Sequence, residues 1–284
     1  MQLRRCRYGY FSSCLSSLNS STLLKPINHT FITLIPKVQN SEKATEFRPI
    51  SLCNVIYKIV SKVIANCLKP LLNSIISETQ SAFTADRLIT NNILIAFESL
   101  HHMKTNCMGE KGFMAFKLDM SKAYNRLEWI FLEKILLKMG FQESWVALIM
   151  ECIIIVSYSI LVNGEPKGLI QPSRGLRQGD PLSPYLFLFC AEGLNAIFRR
   201  VTMNGDIQGF SICRNELKLT YPFFFFWQII VYCFAYPLWK SVKKSKNCYP
   251  IMRQLQVKRL IKLRPPYSLA RTLMNILRRL SNYL

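Results

Sequence analysis

Asp119 stands at the end of a short apolar stretch, Gly112-Phe113-Met114-Ala115-Phe116-Lys117-Leu118, and is followed by Met120-Ser121-Lys122-Ala123-Tyr124. A glycine-led apolar run of this length reads as a buried strand. A carboxylate at its end can hold a divalent cation, which takes oxygen ligands and shares them with phosphates. The same aspartate would also cap the turn that follows, and both readings stand on these residues alone. A second block, Arg174-Gly175-Leu176-Arg177-Gln178-Gly179-Asp180-Pro181-Leu182-Ser183-Pro184, sets two guanidiniums, an amide and a flexible glycine ahead of a long helix. Free N–H groups at a helix start suit an anion, while Asp180-Pro181 reads equally as a plain cap and proline. The ten cysteines form no CxxC pair, and His29, His101 and His102 do not accompany them, so zinc, haem and thioredoxin-like chemistry fall away. Cysteines inside apolar stretches pack as small hydrophobes and point to a reducing compartment.

The elements that position these blocks are legible from pattern. His29 to Ile35 reads as a strand ended by Pro36 and Lys37, and a polar loop from Val38 to Glu46 leads to Phe47-Arg48-Pro49-Ile50-Ser51-Leu52. Val55, Ile56, Ile59, Val60, Val63, Ile64, Leu68, Leu71 and Leu72 recur at helical spacing, with Asn54 placed to cap and Pro70 to bend or break the helix near its end. Residues 88–104, 128–139, 143–153 and 181–200 read as further helices. Ser157–Val162 and Leu169–Pro172 flank Asn163-Gly164, the strongest short hairpin turn. Strands alternating with helices plus a hairpin predict an α+β sheet with helices on one face. After Leu219 the pattern fails.

Charge divides the chain in three. All 16 acids lie between Glu42 and Glu216, where 19 bases nearly balance them, yet the formal net charge of the whole is +21. The bases that flank this segment on both sides meet no acid at all. The Arg- and Ser-rich start lacks the apolar region of a secretory signal and takes no assignment. The uncharged run from Leu219 to Trp239 is long enough to cross a bilayer, with four lysines soon after it. Pro222, Gln228 and Pro237 within it disfavour that reading.

Taken in order, the blocks resemble the reverse transcriptase domain of non-LTR retrotransposons of the LINE type abundant in plant genomes. The carrying residues are Leu34-Ile35-Pro36-Lys37, Phe47 through Leu52, Gln80-Ser81-Ala82-Phe83, Lys117 through Tyr124, Asn163-Gly164, and Arg174 through Pro184. The resemblance spans residues 24–216, with residues 1–23 an unassigned basic segment and 217–284 a basic, acid-free tail. It implies a right-hand polymerase with fingers and a partial palm built on a ferredoxin-like sheet, the thumb being absent. It further implies two Mg²⁺ ions clamping an in-line nucleotidyl transfer, with an RNA template, a DNA primer and dNTPs as partners. By the same resemblance Asp119 is the catalytic metal ligand and Tyr124 the aromatic gate against the sugar. Lys37 and Arg48 are the cations on the triphosphate, and Gln178 and Gly179 form the loop under the nascent base pair. No stable protein partner is implied, and a nuclear or cytoplasmic location is expected over secretion.

Departures from the family bear on activity. Asn125 stands where the family has aspartate, Cys67 where it has arginine, and Asp86 where it has glycine before Arg87. The family's second catalytic block, an aromatic followed by Ala-Asp-Asp, is missing, since no Asp-Asp pair occurs anywhere in the chain. Such carboxylates supply most of the protein charge around the metals, so transfer is not expected without them. The four phenylalanines Phe223–Phe226 imply a T tract in the coding strand, where a base is readily gained or lost. Read two bases into the Phe226 codon, the downstream codons permit Ala, Asp or Asn, then Asn, His or Tyr, then Ser, Arg or Cys, then Leu, Leu, and Leu or Phe. A frameshift near Phe223–Phe226, leaving the tail out of frame, is the expectation. The alternatives are a nucleic-acid-binding remnant without chemistry, through the basic tail, and a membrane anchor through 219–239.

Overall fold

The computed structural model describes Leu23, residues 25–105, 113–120 and 123–203, and five short strands between residues 210 and 262. They divide into two compact units, one from residues up to 72 together with 124–190, the other from 73–123 with those from 191 on.

In the first unit four strands form a mixed sheet in the order β2-β1-β4-β5: β1 (His29–Pro36), β2 (Phe47–Cys53), β4 (Ser157–Val162) and β5 (Glu165–Ile170). β1 runs antiparallel to β2, with Leu34 opposite Pro49 and Ile35 opposite Arg48, and parallel to β4, with Phe31 opposite Ser159. The Asn163-Gly164 hairpin forms as expected, both residues having positive φ (52° and 85°), the turn that matches strand twist. Its second strand starts at once at Glu165 rather than at Leu169.

Helix α1 (Val55–Ile75) starts as its sequence predicts, the Asn54 side chain accepting from the Ile56 amide at 2.9 Å. It does not stop at Pro70. The proline forfeits one backbone bond, but Leu68 and Leu72 on either side are fully buried, and their packing carries the helix through. Cys67 is exposed on this helix, so the arginine expected there by resemblance would have room. Leu132 and Leu136 of a helix over Trp129–Lys138, Ile149 of one over Glu143–Ile154, and Leu182, Leu186 and Phe189 complete the core. Gly140, at φ +88°, makes the break between those two helices that any Cβ would strain.

The second unit holds a four-stranded sheet in the order β10-β3-β9-β8, all antiparallel. Its strands are β3 (Phe113–Met120), β8 (Phe223–Phe226), β9 (Ile229–Ala235) and β10 (Leu255–Lys262). Sequence pattern finds only β3 among them. The run from Leu219 to Trp239 supplies β8 and β9, because Phe, Ile, Val and Tyr are the residues a pleated strand favours. Among the described residues no helix is long and apolar enough to cross a membrane. Two more helices contribute here: Ile89–Thr105, and the part from Ala191 on of a helix over Ser183–Met203. The loop after α1 is pinned by Arg87, whose guanidinium donates to the carbonyls of Ile76, Ser77 and Gln80, and by Asn92 donating to Thr79 at 3.0 Å. Phe83 and Asp86 in that loop sit at φ 58° and 62°, so the glycine expected at Asp86 answers a real left-handed turn. Ser77 is held by Glu192 and Asn195, at 2.9 and 2.7 Å to its hydroxyl.

Candidate functional site

The residues assigned to the nucleotide all lie in the first unit, and Asp119 in the second. Arg48 is exposed on β2, and Lys37 is exposed just past the end of β1, where its amide bonds the Glu46 carbonyl at 2.8 Å and its ammonium the Thr45 carbonyl at 2.9 Å. Gln178 and Gly179 are brought against the strand that carries Arg48. The Ser51 amide donates to the Gln178 carbonyl at 2.8 Å. Gly179 has φ +103°, and a Cβ there would stand 3.1 Å from the Ser51 oxygen, so close docking and backbone conformation both require glycine.

The front of the same loop is tied to the segment of Tyr124. Gly175 and Leu176 donate their amides to the carbonyls of Leu127 and Tyr124, each at 2.7 Å, and the Trp129 indole donates to the Gly175 carbonyl at 2.8 Å. The Tyr124 ring is 8% exposed and stacks on Phe187 with centroids 5.3 Å apart. Burial, with the charge of Asp180 as a second cause, pushes its phenol up to about 12, so the ring stays neutral at physiological pH.

Between these anchors, Arg177 is not the anion-seeking guanidinium that its sequence context suggests. It is 4% exposed and lies over the Tyr57 ring, 3.7 Å from the centroid. Its donors are taken by Asn28, by the Cys152 carbonyl at 2.8 Å and by Thr30 at 3.4 Å, and its Nε is 3.7 Å from Asp180. Asp180 in turn accepts from the Tyr57 hydroxyl at 3.0 Å, Ser183 at 3.2 Å and the Leu182 amide at 3.2 Å, the last two capping the helix start. Burial works against the Arg177 charge, but Tyr57 and Asp180 more than restore it and hold its pKa up. Burial likewise raises the Tyr57 phenol, and pushes the Cys152 thiol and the Tyr158 phenol up to about 12. Sequence reasoning missed this buried network; the one available signal is the cap pattern Asp180-Pro181-Leu182-Ser183. Arg174, by contrast, is exposed and paired with Glu128 at 3.0 Å.

In the second unit Asp119 lies next to the end of β3, as expected. Its ladder partners are Ile229 on β9 and Gln256 on β10. β9 reads Ile-Ile-Val-Tyr-Cys-Phe-Ala and offers no carboxylate. Among the described residues no three His, Cys, Asp or Glu side chains converge. In the ladder the two positions paired with Asp119 are an isoleucine and a glutamine, neither of them a carboxylate.

A model of the family described as reverse transcriptase (RNA-dependent DNA polymerase) matches residues 35–233, running past Glu216 into β9. An uncharacterized mitochondrial protein of Arabidopsis thaliana is 47% identical over 64 residues, 22% of this chain and 52% of that protein. The uncharacterized 149 kDa protein of transposon TX1 from Xenopus laevis is 28% identical over 60% of this chain and 13% of its own length. The retrovirus-related Pol polyprotein of a type-1 R2 retrotransposable element from Nasonia vitripennis is 31% identical, over 60% of this chain and 16% of its own. The chain thus spans about half of the first relative and under a fifth of the other two. A solved telomerase from Candida tropicalis, in complex with a fragment of telomeric RNA, shares the fold at 12% identity with a TM-score of 0.51, covering 84% of this chain and 41% of that one. The mixed α+β architecture is that of polymerase fingers and palm, and the chain belongs to the reverse transcriptase family, as a reverse transcriptase domain of the non-LTR retrotransposon type.

Proposed function

We propose that this chain is the template- and nucleotide-binding part of an RNA-directed DNA polymerase that no longer performs nucleotidyl transfer. One observation carries the loss of chemistry: Asp119 has Ile229 and Gln256 as its ladder partners where a transfer site needs further carboxylates. The nucleotide-side residues support retained binding. Lys37 and Arg48 are exposed cations suited to a triphosphate, and the Gln178–Gly179 loop is held against the strand of Arg48. Tyr124, fixed on Phe187 and uncharged, serves as a rigid wall beside the sugar. The fungal telomerase of like fold was solved with RNA, which favours an RNA template as the partner.

Primer extension on an RNA template with dNTPs and Mg²⁺ or Mn²⁺ tests the reading. The expected result is no extension, together with template–primer retention that weakens steeply as salt rises. Extension that disappears in Asp119→Ala overturns the loss of chemistry, and failure to retain nucleic acid at low salt overturns the binding.

A further inference from the structure

Helix α1 is apolar on two faces. Tyr57, Val60, Ile64 and Leu68 are buried in the core of the first unit. On the solvent side Val55, Ile59 and Val63 stay 65, 43 and 39% exposed, and Cys67, one further step of four along, is exposed as well. Residues four apart form a ridge along a helix, the surface feature onto which a second helix packs. Core packing accounts for the first face only, since the outer face of a surface helix ordinarily carries charged and polar residues.

The ridge runs into a cavity at the start of the helix. Val55 is one wall of a space of about 360 Å³ lined by His29, Phe31, Leu52 and the Cys53–Ile56 turn. Phe31 and Leu52 are opposite each other across β1 and β2, and both are part exposed. The His29 ring is set edge-on to Phe31 and hydrogen-bonded to the Ser157 and Ser159 hydroxyls at 2.8 and 3.3 Å, so this wall is fixed in advance. Such a space takes one large apolar side chain as an anchor.

Charge selects the occupant. Lys58, Lys62 and Lys69 are exposed, and their steps of four and seven place them on one stripe beside the ridge. No residue of α1 is acidic, so the helix supplies no counter-charge of its own, and a second copy would bring none from the same surface. The phosphates of a nucleic acid would meet the lysines but leave the ridge and the cavity in water. A helix with an apolar stripe edged by carboxylates meets all three features. We propose that this face of α1, with the cavity at its start, docks an acidic amphipathic helix of a partner protein. The ridge from Val55 to Cys67 is roughly 18 Å long at 1.5 Å per residue, the span of three to four turns of such a helix.

The test titrates the whole chain into a labelled synthetic helical peptide with leucines on one stripe and glutamates along its edges, followed by fluorescence anisotropy at about 0.15 M salt. A twin peptide with lysines for glutamates and an RNA duplex are run beside it. Ile59→Ser/Val63→Ser is expected to weaken the acidic peptide by about tenfold. Lys58→Glu/Lys62→Glu should weaken it by a similar factor and tighten the lysine twin, a gain that a misfolded variant does not give. Ile130→Ser, an equally exposed apolar position on another helix of the same unit, should bind as wild type does. Binding unchanged by the serine pair, or equally weakened by Ile130→Ser, overturns the docking surface. An RNA duplex whose binding falls with the lysine pair while the acidic peptide is indifferent to it assigns the face to phosphate and overturns the proposal. Self-association of the chain that the serine pair abolishes assigns it to a second copy and does the same.

Discussion

In the first unit the charge of Arg177 is met on every side, by Asp180, the Tyr57 ring, Asn28 and the Cys152 carbonyl. In the second, Asp119 stands in its ladder between an isoleucine and a glutamine. Both are charged residues in blocks that mark the family, yet one is embedded among partners and the other pairs in its ladder with residues that carry no charge. A buried ion pair is enforced by folding itself, because losing one partner strands the other in a low dielectric. Carboxylates around a metal repel each other in its absence, so folding does not select for them. Strand β9 illustrates the asymmetry: Ile, Val, Tyr and Phe make a good ladder with β3 whatever becomes of the reaction.

The comparison is broken most forcefully at Arg177. Arg177→Met should cost about 3–5 kcal/mol, read from urea unfolding, because it leaves Asp180 buried and unpaired. Arg177→Met/Asp180→Asn should recover most of that loss, since asparagine still caps the helix. An equally large cost in both variants would mean that packing, not charge, is what Arg177 contributes.

Alkaline pH attacks the same unit. Tyr124 and Tyr158 have folded pKa values of about 12, above the unfolded value near 10, so the folded state favours their protonated forms. That stability is fully present below pH 10 and is lost as pH climbs through 12; the Cys152 thiol, also near 12, starts its loss from about pH 9. Tyr124→Phe should flatten the fall in unfolding free energy over pH 10–12, and an unchanged slope would remove Tyr124 from the cause.

Gly179→Ala should cost about 1–3 kcal/mol by forcing a Cβ into the left-handed region against the Ser51 oxygen. Its mark beyond stability is faster hydrogen exchange at the Ser51 amide, which a loop still docked on β2 would not show. At the small end, Asp86→Gly should raise stability by at most about 1 kcal/mol, relieving φ 62° at the expense of a more flexible unfolded chain. A loss instead would show that the Asp86 side chain, rather than its backbone, matters.

Much of the first unit is readable because its signals are local. The Asn54 cap, the Asn163-Gly164 turn and the spacing of Val60, Ile64, Leu68 and Leu72 each act over one or two turns of chain. β2 gives no such signal, since Pro49 interrupts any strand pattern; pairing with β1 at the sheet edge overrides it. β8 and β9 are invisible for the opposite reason, as a run without polar alternation cannot announce a face. For the site, sequence places Asp119 beside a strand end and brings Gln178 to the strand of Arg48 only through the family resemblance. The depth of Arg177 is set by long-range partners as distant as Asn28, which no spacing rule reaches.

The bond between the Ser51 amide and the Gln178 carbonyl has a consequence for association. β2 is the edge of its sheet, and an edge with free donors is a template for another chain's strand. Ser51 spends its outward donor on the loop, and Pro49, two residues away and facing the same direction in the ladder, has no donor at all. The Gln178 loop therefore doubles as a seal on the sheet, and a chain whose loop is prised off β2 exposes the Ser51 donor at this edge.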